Sequence, residues 1–116
     1  MMGTPTIMPL WFGGETGISN TLDISGVTAV VGLIMPETWL TATVTIQGSP
    51  DGERFFTLYE GRNQTRVSFN VPLGMMVVVR PDILRCCKAI RLVSGDPAHP
   101  MPQGEAREFG LVVEMT

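Results

Sequence analysis

The sequence predicts an all-β fold: a single-domain antiparallel β-sandwich or jelly roll of about eight strands over residues 18–116, preceded by an N-terminal arm over residues 1–17. Three observations predict it. Apolar and polar residues alternate through several short runs, which is the pattern of strands with one buried face. Gly, Pro, Asn and Asp punctuate the chain every several residues, as turns between strands do. No run sustains a 3.6-residue apolar period. A chain of 116 residues can bury a core of its own without metals or disulfides.

The elements follow in order. Glycines and prolines surround the apolar cluster Met8, Leu10, Trp11 and Phe12, so the first stretch reads as an arm carrying a hydrophobic anchor. Trp11 and Phe12 pack either on the domain's own core or into a neighbouring subunit. Ile18 to Ile24 is a first strand, ended by Ser25-Gly26. In Val27 to Met35, Val27, Ala29, Val31, Leu33 and Met35 share one face, and Val30 and Ile34 share the other. Such a strand is buried on both sides or uses one face in assembly. Pro36-Glu37-Thr38 turns the chain. Leu40, Ala42, Val44 and Ile46 then alternate with Thr41, Thr43, Thr45 and Gln47, and the turn Gly48 to Gly52 leads into Phe55 to Tyr59, making a hairpin.

Gly61 to Gln64 is a polar turn, after which Val67, Phe69 and Val71 face one way. Met75 to Val79 is apolar on both faces, so Met76 and Val78 join Val30 and Ile34 as candidate contact residues. Ile83 to Cys87 is a short helical turn or irregular bridge. Lys88 to Val93 is a strand with Ile90 and Leu92 inward. Three prolines make Ser94 to Gly104 the longest loop. Arg107 to Met115 closes the chain, with Phe109, Leu111, Val113 and Met115 on one face.

Charge excludes several classes of partner. The net charge is −3 and the eight Lys and Arg form no basic run, which argues against sequence-independent nucleic-acid binding. The longest apolar run, residues 27–36, is interrupted and too short to span a bilayer, so a soluble protein made in the cytosol, with no membrane partner, is expected. Charged residues make up only 16%, against about 25% in typical domains. Some apolar surface is therefore expected to meet a partner.

No cofactor or metal is expected. Cys86 and Cys87 are adjacent and read as reduced packing residues, and one His without a Cys-x-x-Cys spacing makes no zinc site. His99 sits between prolines in a loop, with no nucleophile signature around it. Asp51, Glu53, Asp82 and Asp96 lie in turns, where calcium binding competes with plain turn geometry. Trp39, Phe55, Phe56 and Tyr59 are core or subunit contact before they are a sugar platform. Arg80, Arg85, Lys88 and Arg91 form the densest basic patch, facing either an acidic subunit or solvent. None of these implies an enzyme.

Several segments carry a resemblance: Leu22-Asp23-Ile24-Ser25-Gly26, Leu33-Ile34-Met35-Pro36-Glu37-Thr38-Trp39, Thr45-Ile46-Gln47-Gly48-Ser49-Pro50-Asp51-Gly52, Phe56-Thr57-Leu58-Tyr59, Ile90-Arg91-Leu92-Val93-Ser94-Gly95, and Pro102-Gln103 with Arg107. Together they resemble a family of small phage and prophage proteins over most of the chain from about Leu22. The Gln-Gly-Ser-Pro-Asp-Gly piece is also similar to discoidin-like, galactose-binding-type jelly rolls. The resemblance implies a structural protein of a tailed-phage virion, a cement or decoration protein on the head. Its expected partners are the major capsid protein and further copies of itself, as a homotrimer. Expected contact residues are Trp11, Phe12, Val30, Ile34, Met76, Val78, Arg80, Arg85 and Arg91. The alternative is a carbohydrate-binding module of the tail or baseplate, using loops 47–54, 60–64 and 94–104.

Overall fold

The computed structural model describes residues 4–40, 43–62 and 64–115; the expected facing of Thr41 and Ala42, and Asn63 of the polar turn, lie outside them. Strands in chain order are β1 (Thr4–Phe12), β2 (Leu22–Asp23), β3 (Ala29–Ile34), β4 (Val44–Ser49), β5 (Phe56–Thr57), β6 (Tyr59–Glu60), β7 (Thr65–Arg66), β8 (Ser68–Phe69), β9 (Met76–Val78), β10 (Ala89–Asp96), β11 (His99–Pro100) and β12 (Arg107–Met115). The fold is all-β, and every pairing between strands is antiparallel. One four-stranded sheet has the order β1-β12-β3-β9, and a six-stranded sheet is built on β11-β10-β4-β5 with β2 against β10 and β8 against β4. The chain crosses between the sheets at most long connections, as in a jelly roll.

Inward residues of both sheets form one core, including Leu10, Phe12, Leu33, Ile46, Ile90, Leu92, Phe109 and Leu111. Three aromatic rings interlock edge to face within it. Trp39 lies 5.1 Å from Phe12 and 5.0 Å from Phe109, and Phe12 lies 5.8 Å from Phe109. Offset and edge-on contacts of this kind suit the ring quadrupoles.

The first stretch departs from the arm expected of it. Thr4–Phe12 is a nine-residue strand paired along its whole length with Arg107–Met115. Pro5 and Pro9 are compatible with this because of which way they face. Trp11, of the same parity, turns its amide away from β12 to the Asn20 side-chain oxygen at 2.7 Å, and its carbonyl accepts the Asn20 amide at 3.1 Å. Pro5 and Pro9 therefore sit at positions whose missing N–H would have pointed out from the sheet edge.

Two further readings are corrected. The stretch Ser94–Gly104 is not all loop: β10 runs to Asp96 and β11 returns beside it, pairing Gly95 with Pro100 and Asp96 with His99. A two-residue outer strand accommodates Pro100 where a central strand could not. The other correction is to Val30. Val112 pairs with Gly32 but Val113 pairs with Val30, so Val31 is an extra residue whose carbonyl accepts the Val79 amide at 3.0 Å. This bulge breaks the period of two. Val30 turns into the core while Gly32 and Ile34 face outward.

Because β1 supplies Leu10 and Phe12 to the core, deleting residues 1–14 should abolish the cooperative unfolding transition in urea. Phe12→Ala should cost about 3–5 kcal/mol, whereas Trp11→Ala on the outer face should stay within about 1 kcal/mol.

Candidate functional site

The two outer faces of the sandwich are dressed differently. On the six-stranded sheet, Gln47 receives the Arg91 guanidinium at 2.9 Å and donates to the Thr57 hydroxyl at 3.2 Å. The same guanidinium stacks 4.4 Å from the Phe55 ring centre. This patch is hydrogen-bonded and largely polar, its four side chains half-buried.

The four-stranded sheet shows the opposite. Its outward positions are Pro5, Ile7, Pro9 and Trp11 on β1, Glu108, Gly110, Val112 and Glu114 on β12, Ala29, Gly32 and Ile34 on β3, and Met76 and Val78 on β9. Ile7 is 61% exposed, Trp11 50%, Met76 56% and Val78 81%. Isolated apolar residues on a surface need no explanation, but these lie side by side across four strands.

Two glycines level this face. A Cβ on Gly110 would stand 2.9 Å from Ile7 Cγ2 and 3.3 Å from Ile34 Cδ1. At Gly32 it would meet Met76 Sδ at 3.3 Å and Val112 Cβ at 3.4 Å. Neighbouring side chains lie over the glycines, so the centre of the face is paved rather than pitted.

Of the contact residues expected from sequence, Trp11, Ile34, Met76 and Val78 come together here. Phe12 and Val30 do not: both are buried in the core, Phe12 against Trp39 and Phe109, and Val30 through the bulge. Ile7 belongs to the face and was missed because β1 was not recognised as a strand, and Val112 because Glu108, Gly110 and Glu114 make its side of the last strand mostly polar. The spacing of Pro5, Ile7, Pro9 and Trp11 at every second residue was the available signal.

The four cations expected to form one patch are dispersed. Arg80 pairs with Glu60 at 3.8 Å, Arg85 is exposed in the succession of turns from Arg80 to Cys87, Lys88 follows that turn, and Arg91 is held on the six-stranded sheet. Arg80 and Glu60 separate two clefts of about 240 and 320 Å3 between the β6–β7 hairpin and residues 80–86. Tyr59 lines one and Phe69 the other.

Loops 47–54 and 94–104 are too far apart to close around one compact ligand. The β4–β10 register pairs Ser49 with Ala89 and Val44 with Ser94, which sets the two loops at opposite ends of the sheet. Trp39 is likewise no sugar platform, since it packs edge-on between Phe12 and Phe109.

The Asp51 turn is explained by its own hydrogen bonds. Asp51 Oδ1 accepts the Glu53 and Arg54 amides and the Ser49 hydroxyl, each at 2.9 Å, and Gly52 adopts a φ of 85°. The Arg54 amide foremost, then the Glu53 amide and the Ser49 hydroxyl, hold the Asp51 carboxyl well below the usual carboxylate range. Hydrogen bonds from Ser25 lower the Asp23 carboxyl, and the Ala98 amide lowers that of Asp96.

Cys86 and Cys87 are not joined as a disulfide, and their sulfurs lie 3.9 Å apart. Cys87 packs its sulfur over Gly48, and burial, then the neighbouring Cys86, push its thiol up to about 12. No family model and no curated protein matches this chain.

Depressed folded pKa values stabilise the fold above the unfolded carboxyl pKa, and this contribution is lost as pH falls below about 4. Thermal midpoints should therefore drop between pH 6 and pH 3, with a shallower drop in Asp51→Asn. Iodoacetamide at pH 8 should add one group to the native protein, at Cys86, and two to the unfolded chain, as read by mass spectrometry.

Proposed function

We propose that this chain is a non-enzymatic structural protein of a tailed-phage virion, a head cement or decoration protein that binds major capsid subunits through the outer face of its four-stranded sheet. The phage assignment rests on the sequence resemblance. The single observation supporting the docking mode is the contrast between the outer faces: one carries the Arg91–Gln47–Thr57 network, and the other exposes Ile7, Trp11, Met76 and Val78. A protein with one face toward a particle and the other toward water is dressed in this way.

Size favours several weak contacts over one strong contact. Four strands about 4.8 Å apart, rising about 3.4 Å per residue, bound a face on the order of 400 Å2 once the short β9 is allowed for, about half of what one partner gives to a standard interface. Self-association, as a trimer in this reading, makes such contacts additive through effective concentration.

A second reading, a carbohydrate-binding module of the tail or baseplate, has the cleft beside Tyr59 in its favour. Glycan binding that Tyr59→Ala abolishes without lowering the thermal midpoint would favour it.

For the leading reading, capsids assembled without this chain should bind the purified protein. Val78→Asp and Met76→Asp, both at exposed positions, should each weaken binding by about tenfold or more while leaving the thermal midpoint unchanged. A wild-type chain with no affinity for capsids, or a Val78→Asp variant that binds as well as wild type, would overturn it.

A further inference from the structure

Among the described residues, the outer face of the four-stranded sheet carries charge of one sign only. Glu108 stands directly opposite Trp11, and Glu114 stands opposite Pro5 on one side and Ala29 on the other. None of the eight Lys and Arg occupies an outward position on these four strands. Arg107 on β12 is inward-facing, with its side chain only 11% exposed and bonded to Glu105 at 3.1 Å. Arg80, just beyond β9, is turned to Glu60. Among the described residues neither Glu108 nor Glu114 forms an ion pair.

The two carboxylates are six residues apart on one strand, so they stand about 20 Å from each other at the ends of the face. Between them lie Gly110 and Val112, flanked by Ile7, Ile34, Met76 and Val78. An occupant that covers the apolar centre must bring something to both ends. A surface that leaves the carboxylates unpaired strips part of their water without compensation, which counts against that contact.

Resting on the docking reading above, we infer that the occupant is a protein surface with an apolar centre bracketed by two Lys or Arg side chains about 20 Å apart, and not the same face of a second copy. A second copy laid face to face sets carboxylates against carboxylates or against apolar side chains, because the face holds no cation to answer them. Opposed charges across a rim act mainly on encounter rate and partner choice, and salt screens them; the apolar centre acts on residence time. The two parts of the face are therefore separable by ionic strength.

The test compares association of four proteins with capsids assembled without this chain, at 50 and 500 mM NaCl. They are wild type, Glu108→Gln/Glu114→Gln, Glu108→Lys/Glu114→Lys, and the charge-matched control Glu15→Gln/Glu53→Gln, whose carboxylates are exposed elsewhere. Neutralising Glu108 and Glu114 should slow association about tenfold at 50 mM NaCl and much less at 500 mM, and the Lys pair should slow it further. The control should follow wild type. Equal slowing in the control, or faster association of the Lys pair, would overturn the basic bracket while leaving capsid docking intact. A wild-type chain that ignores capsids would overturn both. Wild type that dimerises, with Val78→Asp returning it to monomer and the Gln pair tightening the dimer, would identify a second copy as the occupant and overturn the inference.

Discussion

The pairing of the first strand with the last is the constraint on which the rest of this structure depends. It runs without a shift from Thr4 opposite Met115 to Phe12 opposite Arg107. Side chains in a strand alternate strictly, so this one register decides two things together: Leu10 and Phe12 enter the core beside Phe109 and Leu111, and Ile7 and Trp11 stand outside beside Val112 and Glu108. A slip by one residue would exchange the two sets, burying prolines and exposing phenylalanine. The core cluster of Phe12, Trp39 and Phe109 is a product of that register, since two of its three rings come from the paired strands.

The remainder of the outer face is assembled by a local irregularity rather than by alternation alone. The extra residue at Val31 allows β3 to give Val30 and Leu33 to the interior while Gly32 and Ile34 lie outside beside Val112 and Gly110. Glycine at positions 32 and 110 lets Ile7, Ile34 and Met76 lie flat across the strands. Met76 contributes adaptability, since an unbranched thioether can repack against an imperfect partner. The other sheet buries Ile46, Ile90 and Leu92 inside while presenting Gln47, Thr57 and Arg91 outside, so apolar dressing of one face is not a requirement of the fold.

The sequence was legible where alternation was unbroken. Arg107–Met115 could be read to its ends because nine residues keep one parity, and Ile90 and Leu92 could be assigned inward for the same reason. It was illegible where distant partners decide. Val30 looks equivalent to Ile34 until the Val79 amide, nearly fifty residues along the chain, takes the Val31 carbonyl. Pro5 and Pro9 look like loop residues until Asn20 and β12 show which side of the strand their nitrogens face. The four cations between Arg80 and Arg91 look like a patch until Glu60 and Gln47 draw two of them apart. Met76 and Val78 were readable as outward apolar positions because apolar residues on both faces of a short strand are a local signal.

Pro5 and Pro9 have a consequence for the life of such a protein in crowded surroundings. Any surface that gathers many copies side by side brings strand edges within reach of one another, and a bare edge invites sheets to join end over end into fibres. Along the free edge of β1 the two prolines offer no donor, and Asn20 occupies the peptide groups of Trp11, leaving Ile7 as an isolated amide between them. A lone donor cannot start a ladder. The β1 edge of the apolar face is thus a poor template for backbone pairing, even where copies crowd together.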